Sequence, residues 1–225
     1  GAGSQCGKSI GTERHTSIGI QKQTNYALKA GNKEEIIKLV TDGLNDPPVY
    51  FSRIALMNRK RCESLDDVLE KNLHPVSIAD LKLQLGKENT LVIDTRSPAV
   101  FEAGFIPGSI FIGLDGSFAA MAGSVINPAS NLIVVADAGR EKEAISKLSR
   151  VGLENVTGYV EGGFTSWSEA AEPIDKITTI SAGDFEERFR YNSCTALDVR
   201  NPDEWVSGFV AGAKLITLGK LKNQM

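Results

Sequence analysis

Few side chains in this 225-residue sequence are spaced to do chemistry. Cys6, Cys62 and Cys194 are an odd, widely separated trio, giving neither a disulfide framework nor a paired Cys-x-x-Cys metal site. His15 and His74 lack ligand spacing to one another, so no metal site is expected from them. Cys6 beside Lys8 could be a reactive thiol, although a packed, inert cysteine is the simpler reading. Gly7-Lys8-Ser9 ends like a phosphate-binding loop, but that motif needs glycine where Ala2 stands and a strand in front. What remains is Asp137-Ala138-Gly139-Arg140, between the apolar run Leu132–Ala136 and the helical pattern Arg140–Val151. Ligands of parallel α/β sheets bind outside the carboxyl ends of the strands, which is where this loop would lie. Two readings stay open: Asp137 caps the helix and Arg140 is a solvated first-turn residue, or the loop keeps a pocket for an anion or a partner.

The elements that position the loop follow from periodicity and punctuation. Ser77 and Asp80 form a capping box for a helix carrying Ile78, Leu81 and Leu85, and Gly86 stops it. Thr90–Ile93 reads as a buried strand ended by Asp94-Thr95-Arg96, and Ser97-Pro98 supplies an N-cap and first position for a short helix. Gly104-Phe105-Ile106-Pro107-Gly108 is a turn before a second strand, Ser109–Ile112. Leu132–Ala136 and Val156–Val160 are further strands; Ala144, Leu148 and Val151 face inward on the intervening helix. Gly162-Gly163-Phe164 opens a last helix bearing Trp167. Short apolar strands alternating with helices predict an α/β fold with a central parallel sheet flanked by helices.

Upstream, a helical stretch spans Ile18 to Leu28. Asn32 with Glu35 caps another helix, whose Ile36, Val40 and Leu44 share a face and whose C-cap is Gly43. Asp46-Pro47-Pro48 ends any helix, and Val49-Tyr50-Phe51 looks like an apolar anchor onto another surface. This segment has too few apolar residues for a core of its own. The charged run Asn58-Arg59-Lys60-Arg61, followed by Ser64 capping with Asp67, reads as a surface connector.

Sliding the sequence against itself by 104 positions, without a gap, lays Asp94 on Asp198 and Arg96 on Arg200. The same shift lays Gly104 on Gly208, Gly108 on Gly212, Ser77 on Ser181 and Met121 on Met225, with Phe101 opposite Trp205. A unit of about 100 residues has the size of a small domain. The second copy would hold half of one, and its edge would expose unpaired strand groups and apolar surface.

Composition is that of an ordinary globular chain, 41% hydrophobic and 24% charged, with net charge −3 and pI near 5.6. No nucleic-acid footprint is expected without a basic stripe, and no membrane span without an apolar run of roughly 18–20 residues. No signal peptide is read, and the default setting is the cytoplasm. Both ends are expected to be cut, since the chain opens on Gly1-Ala2-Gly3-Ser4 without a Met and closes inside a repeat at Met225.

The motifs Asp94-Thr95-Arg96, Glu102-x-Gly104-Phe105-Ile106-Pro107-Gly108-Ser109 and Glu161-Gly162-Gly163-Phe164-x-x-Trp167 resemble the rhodanese-like family, over 76–175 as a whole unit. Asp198-Val199-Arg200 and Gly208-Phe209-Val210-Ala211-Gly212-Ala213 repeat the first two over 176–225. The resemblance implies a catalytic cysteine after the central strand, opening a Cys-x-x-x-x-Arg loop whose amides and helix N-terminus stabilise a thiolate or persulfide. Here that position falls on Val135 or Asp137, and neither has a thiol. Asp94 and Arg96 are then bracing residues, and Cys194 a small core residue. Gly3-Ser4-x-Cys6-Gly7-Lys8, Thr24-Asn25-x-Ala27-Leu28 and Pro47-Pro48-x-Tyr50-Phe51 look like the end of a metallo-β-lactamase-fold domain. They are similar to the branch fused to tandem rhodanese domains, which includes persulfide dioxygenase-like proteins.

These resemblances imply a layout of 1–57 metallo-β-lactamase tail, 58–75 linker, 76–175 rhodanese-like domain without its cysteine, and 176–225 half of a second. Iron or zinc would belong to a preceding domain, with no metal ligand, cofactor or catalytic residue in this chain. The expected partners are that metallo-β-lactamase-fold domain, a second copy in a homodimer, and a small sulfur-containing substrate of the whole protein. Two rivals are a non-enzymatic interaction or spacer module, and a module in which Asp137–Arg140 binds an oxyanion.

Overall fold

Capped amphipathic segments and short apolar runs alternate in the computed structural model, which describes residues 15–42, 50–59 and 63–224. The chain falls into two compact units, Gly1–Pro48 and Val49–Met225, each described by itself. In the first, α1 (Ile18–Thr24) leads through a 3-10 turn at Tyr26–Lys29 to α2 (Lys33–Thr41). The Asn32 side chain accepts from Glu35 N, but Glu35 reaches back to Gly31 N rather than to the cap residue. Helix α2 ends on Asp42; Gly43, Leu44 and the prolines lie outside the described residues. No residue of α1 or α2 is buried, and Ile18, Ile20 and Ile37 stay exposed.

The second unit begins with α3 (Tyr50–Arg59) and α4 (Leu65–Asn72). Helix α4 has the expected Ser64–Asp67 capping box. It is no surface connector, however: Val68 and Leu69 are buried, and Leu69 joins the main apolar cluster. Charge density around residues 58–63 hid a helix whose apolar positions are adjacent, on a face turned to the core. Residues 50–57, expected with the first unit, pack on the second. Arg53 donates to the carbonyls of Val151 and Gly152, and Tyr50 lies against Gly123.

The remaining elements are β1 (Pro75–Val76), α5 (Ile78–Leu85), β2 (Thr90–Asp94), α6 (Pro98–Ala103), β3 (Ile110–Phe111), α7 (Phe118–Val125) and β4 (Asn131–Val135). They continue with α8 (Glu141–Ser149), β5 (Val156–Val160), α9 (Gly163–Glu169), α10 (Ala182–Arg190), β6 (Leu197–Asp198), α11 (Pro202–Trp205), β7 (Lys214–Leu215) and α12 (Leu218–Gln224). Strands β1–β5 form a parallel sheet in the order β1-β5-β4-β2-β3. β2 pairs with β4 from Thr90↔Asn131 to Asp94↔Val135, so the two buried apolar runs sit side by side at its centre.

Side chains alternate between the faces of that sheet, and each face has its own cluster. Ile93, Leu132 and Val134 pack against α7 and α8 through Phe118, Ala122, Ile145 and Leu148. Val92, Ile133, Val135 and Val160 pack on the other face with Leu81 of α5 and Trp167 of α9. Burial on both faces is what an all-parallel sheet requires. Helix α7 has no counterpart in the sequence reading: its Ala-Ala-Met-Ala-Gly composition carries little periodic signal, and only its packing on the sheet identifies its buried side. Further on, β6 and β7 make a separate two-stranded parallel sheet.

Candidate functional site

The loop after β4 is built by three backbone decisions. β4 stops at Val135, Ala136 is still buried, and Asp137, Ala138 and Gly139 come to the surface. Gly139 takes φ +84°, a left-handed turn that lets Arg140 N donate to Asp137 O at 3.0 Å. Arg140 is then the N-cap of α8, without a side-chain cap bond. The expected carboxylate cap is therefore not the one used: Asp137 contributes its carbonyl. The cap position falls three residues after Asp137, on Arg140.

Arg140 is not simply solvated either. Its guanidinium meets Asp115 Oδ1 at 2.8 Å and Glu143 Oε2 at 2.9 Å. Lys147 completes the network, with Nζ 2.8 Å from Glu143 Oε1 and donating to Leu114 O at 2.9 Å. The hydrogen bond from Arg140 holds the Asp115 carboxyl below the usual range. Lys147, then Arg140, does the same to Glu143, and the two carboxylates raise the guanidinium further. Asp115, Arg140 and Glu143 therefore stay charged at neutral pH, and the Arg140 cation is neutralised within the protein. An incoming anion would compete with two carboxylates for Arg140 and meet Asp137 and Glu141 nearby in sequence. The Glu143–Lys147 pair is legible as an i,i+4 spacing. Asp115, 25 residues before Arg140, gave no such signal.

The other predicted motif residues gather behind this loop as scaffold. Asp94 closes β2 and is fully buried with Arg96. Arg96 Nε donates to Asp94 Oδ1 at 2.9 Å and Nη2 to Oδ2 at 2.6 Å, and Nη2 also reaches Gly104 O at 2.8 Å. The ring of Phe164 lies over the guanidinium, 4.2 Å from its centroid. Thr95 N and Oγ1 both donate to Val135 O, tying this brace to the end of β4. Gly162 and Gly163 turn β5 into α9; a side chain on Gly163 would come within 3.0 Å of Ala136 O, so glycine lets that turn lie on the loop's root. Trp167 is buried in the second cluster and donates to Pro173 O at 2.8 Å. Gly108 sits in the turn before β3.

The same brace occurs once more. Arg200 Nε donates to Asp198 Oδ1 at 2.9 Å, and Nη2 reaches Asp198 Oδ2 at 2.6 Å and Gly208 O at 2.8 Å. Gly208 and Gly212 hold the turn between α11 and β7. Here Arg200 is exposed to 40% against 6% for Arg96. Cys194 is half-buried rather than a core residue; Cys6 and Cys62 lie outside the described residues. Among the described residues no group of three or more His, Cys, Asp or Glu side chains is placed to hold a metal ion. None of their helices is long and apolar enough to cross a membrane.

Comparison with known proteins agrees with this geometry. Residues 77–170 match the Rhodanese-like domain family. Among solved structures, a metallo-beta-lactamase from Staphylococcus aureus subsp. aureus COL is 26% identical with a TM-score of 0.55, over 71% of this chain and 42% of that one. A rhodanese-related protein from Thermoplasma volcanium is 29% identical with a TM-score of 0.39, over 45% and 97%. A rhodanese-like domain from an Anabaena sp. protein is 22% identical with a TM-score of 0.41, over 48% and 86%. No curated protein matches the chain. The chain spans less than half the length of the staphylococcal protein.

Proposed function

We propose that this chain is the non-catalytic rhodanese-like portion of a sulfur-handling protein of the metallo-β-lactamase-fold/rhodanese kind, working in the cytoplasm. The whole protein would oxidise or hydrolyse a persulfide or thioester at an iron or zinc centre held in another domain, and would exchange sulfane sulfur with a small substrate. The observation that carries the reading is the loop at 135–140: it has no thiol, and its one arginine is bound to Asp115 and Glu143. A sulfane sulfur is carried by a thiolate, which attacks the donor and holds the sulfur as a persulfide; a carboxylate forms no such bond. The likeness to the staphylococcal metallo-beta-lactamase supports the company this domain keeps.

Within that protein the domain acts as an interaction and spacer module. Its packing on α3 favours this role, because Tyr50 and Arg53 fix to its core the helix that follows the first unit in sequence. The oxyanion-binding alternative is weaker, since Arg140 is already neutralised. A thiosulfate:cyanide sulfurtransferase assay on the chain is expected to give background rates only. Turnover that disappears on replacing Cys6, Cys62 or Cys194 would overturn the reading. Sulfate titrated into wild type and Arg140→Ala should release no heat in either; heat lost in the variant would restore the oxyanion alternative.

A further inference from the structure

Residues 170–181 join α9 to α10 with no helix or strand of their own, the place where a loose linker would lie. They are instead tied down along their length. Glu172 pairs with Lys82 of α5, and Pro173 O accepts from Trp167 Nε1 at 2.8 Å. Asp175 makes an antiparallel bridge with Phe105, its N donating at 3.1 Å and its O accepting at 2.9 Å. Ile177 N donates to Glu102 O at 3.1 Å, and Thr179 Oγ1 to Glu102 Oε2 at 2.8 Å. Two residues later the Ser181 cap starts α10. An independent observation points the same way. Ala171 stands at φ +55°, a conformation that is costly for a residue with a Cβ and persists where the surroundings enforce it. Ile174 is where this stretch meets the brace. Gly104 carries the carbonyl that Arg96 holds, and a Cβ placed there would come within 3.1 Å of Ile174 Cγ2 and 3.3 Å of Phe164 Cζ. Its φ of 170° is extended backbone, so lack of space, and not conformation, asks for glycine. The same Phe164 ring lies over Arg96, so the notch that takes Ile174 is made of the brace's own parts.

We propose that residues 171–179 are a strap, latched by Ile174 between Gly104 and Phe164, that fixes the α10–α12 segment on the sheet region at one distance and angle. The brace shapes the latch, the latch holds the strap, and the strap decides where α10 starts, so the two regions move as one body. The pairs Lys82–Glu172 and Thr179–Glu102 are exposed and add little singly. The bridge at Phe105 and the packing of Ile174 are the parts that hold. A spacer needs such stiffness to keep what it separates in one geometry. For its use the strap rests on the spacer role proposed above; for its evidence it rests on the bonds and packing of this chain alone.

The latch can be broken from either side and then repaired. Gly104→Ala puts a methyl group where Ile174 sits, and Ile174→Ala empties the notch. Amide exchange at Asp175 and Ile177 should speed up on the order of tenfold in each variant, with exchange in β2 and β4 unchanged. In the double variant the added methyl group fills what Ile174 left, and exchange should return to within about threefold of wild type. Residual dipolar couplings of the α10 amides should fit the alignment of the β4 amides in wild type and in the double variant, and depart from it in both single variants. Separate alignments in wild type would overturn the strap, and unchanged exchange in both single variants would overturn the latch. One alignment kept in the single variants despite fast exchange at 175 and 177 would also overturn the proposal, and would give the role to α12, which lies against α7. Sulfur turnover enters none of these readouts, so this inference and the proposed function can fail separately.

Discussion

Asp94–Arg96–Gly104 and Asp198–Arg200–Gly208 make the same five hydrogen bonds with nearly the same lengths, yet one set is buried and the other half-exposed. The brace is therefore local. A strand end, one turn and a short proline-started helix place the carboxylate, the guanidinium and the glycine carbonyl together, and no tertiary cover is needed. What the cover changes is the energetic meaning of the bonds. Under β4 and Phe164, Asp94 and Arg96 depend on each other, because removing either leaves an uncompensated buried charge. On the second segment water can take the place of a lost partner.

The sharpest break in this comparison is therefore a pair of matched substitutions. Arg96→Met leaves Asp94 buried without its partner and should cost about 3–5 kcal/mol. Arg200→Met should leave the midpoint of the main urea transition unmoved within error. Equal losses in equilibrium unfolding would show that the second brace is as covered in solution as the first.

A smaller effect separates the supports of the two regions. Tyr50 of α3 rests on Gly123 of α7 so closely that a side chain there would come within 2.7 Å of the ring. Gly123→Val should push Tyr50 out and destabilise the sheet region by about 1–3 kcal/mol, the usual range for overpacking. It should also open α3 to limited proteolysis and leave amide exchange at β6–β7 as it was. If α3 stays resistant, its docking rests on Arg53 rather than on Tyr50.

Where local chemistry decided the structure, the sequence was enough. The Ser64, Ser77 and Ser181 caps, the strands at 90–94, 131–135 and 156–160, and the two Asp-x-Arg braces all follow from neighbours within a few residues. Long-range choices were not legible. Whether Arg140 faces solvent or a carboxylate depended on Asp115, which a loop brings back from the strand before. The burial of α4 depended on α8, and α7 showed almost no pattern because Ala and Gly fit either a core or a surface. The absence of a thiol could be read directly; the neutralisation of the loop that took its place could not.

The finest test of the comparison is acid, because Asp198 has a carboxyl that the Arg200 side chain, as main cause, lowers to about 2. A free aspartate titrates near 3.9, so unfolding raises this group's affinity for protons. The folded form of the second segment is accordingly favoured above about pH 4, and that contribution is lost as pH falls through about 2. The two tryptophans report the two regions separately: Trp167 is buried in the cluster of the main sheet, and Trp205 lies in α11 beside the exposed brace. In a pH titration followed by the indole N–H resonances, the Trp205 signal should move between pH 4 and 2. Arg200→Met removes the cause of the depression, so the same movement should begin at higher pH in that variant. A Trp205 signal that holds still in both proteins would mean that the brace, although formed, contributes nothing to the order of the segment around it.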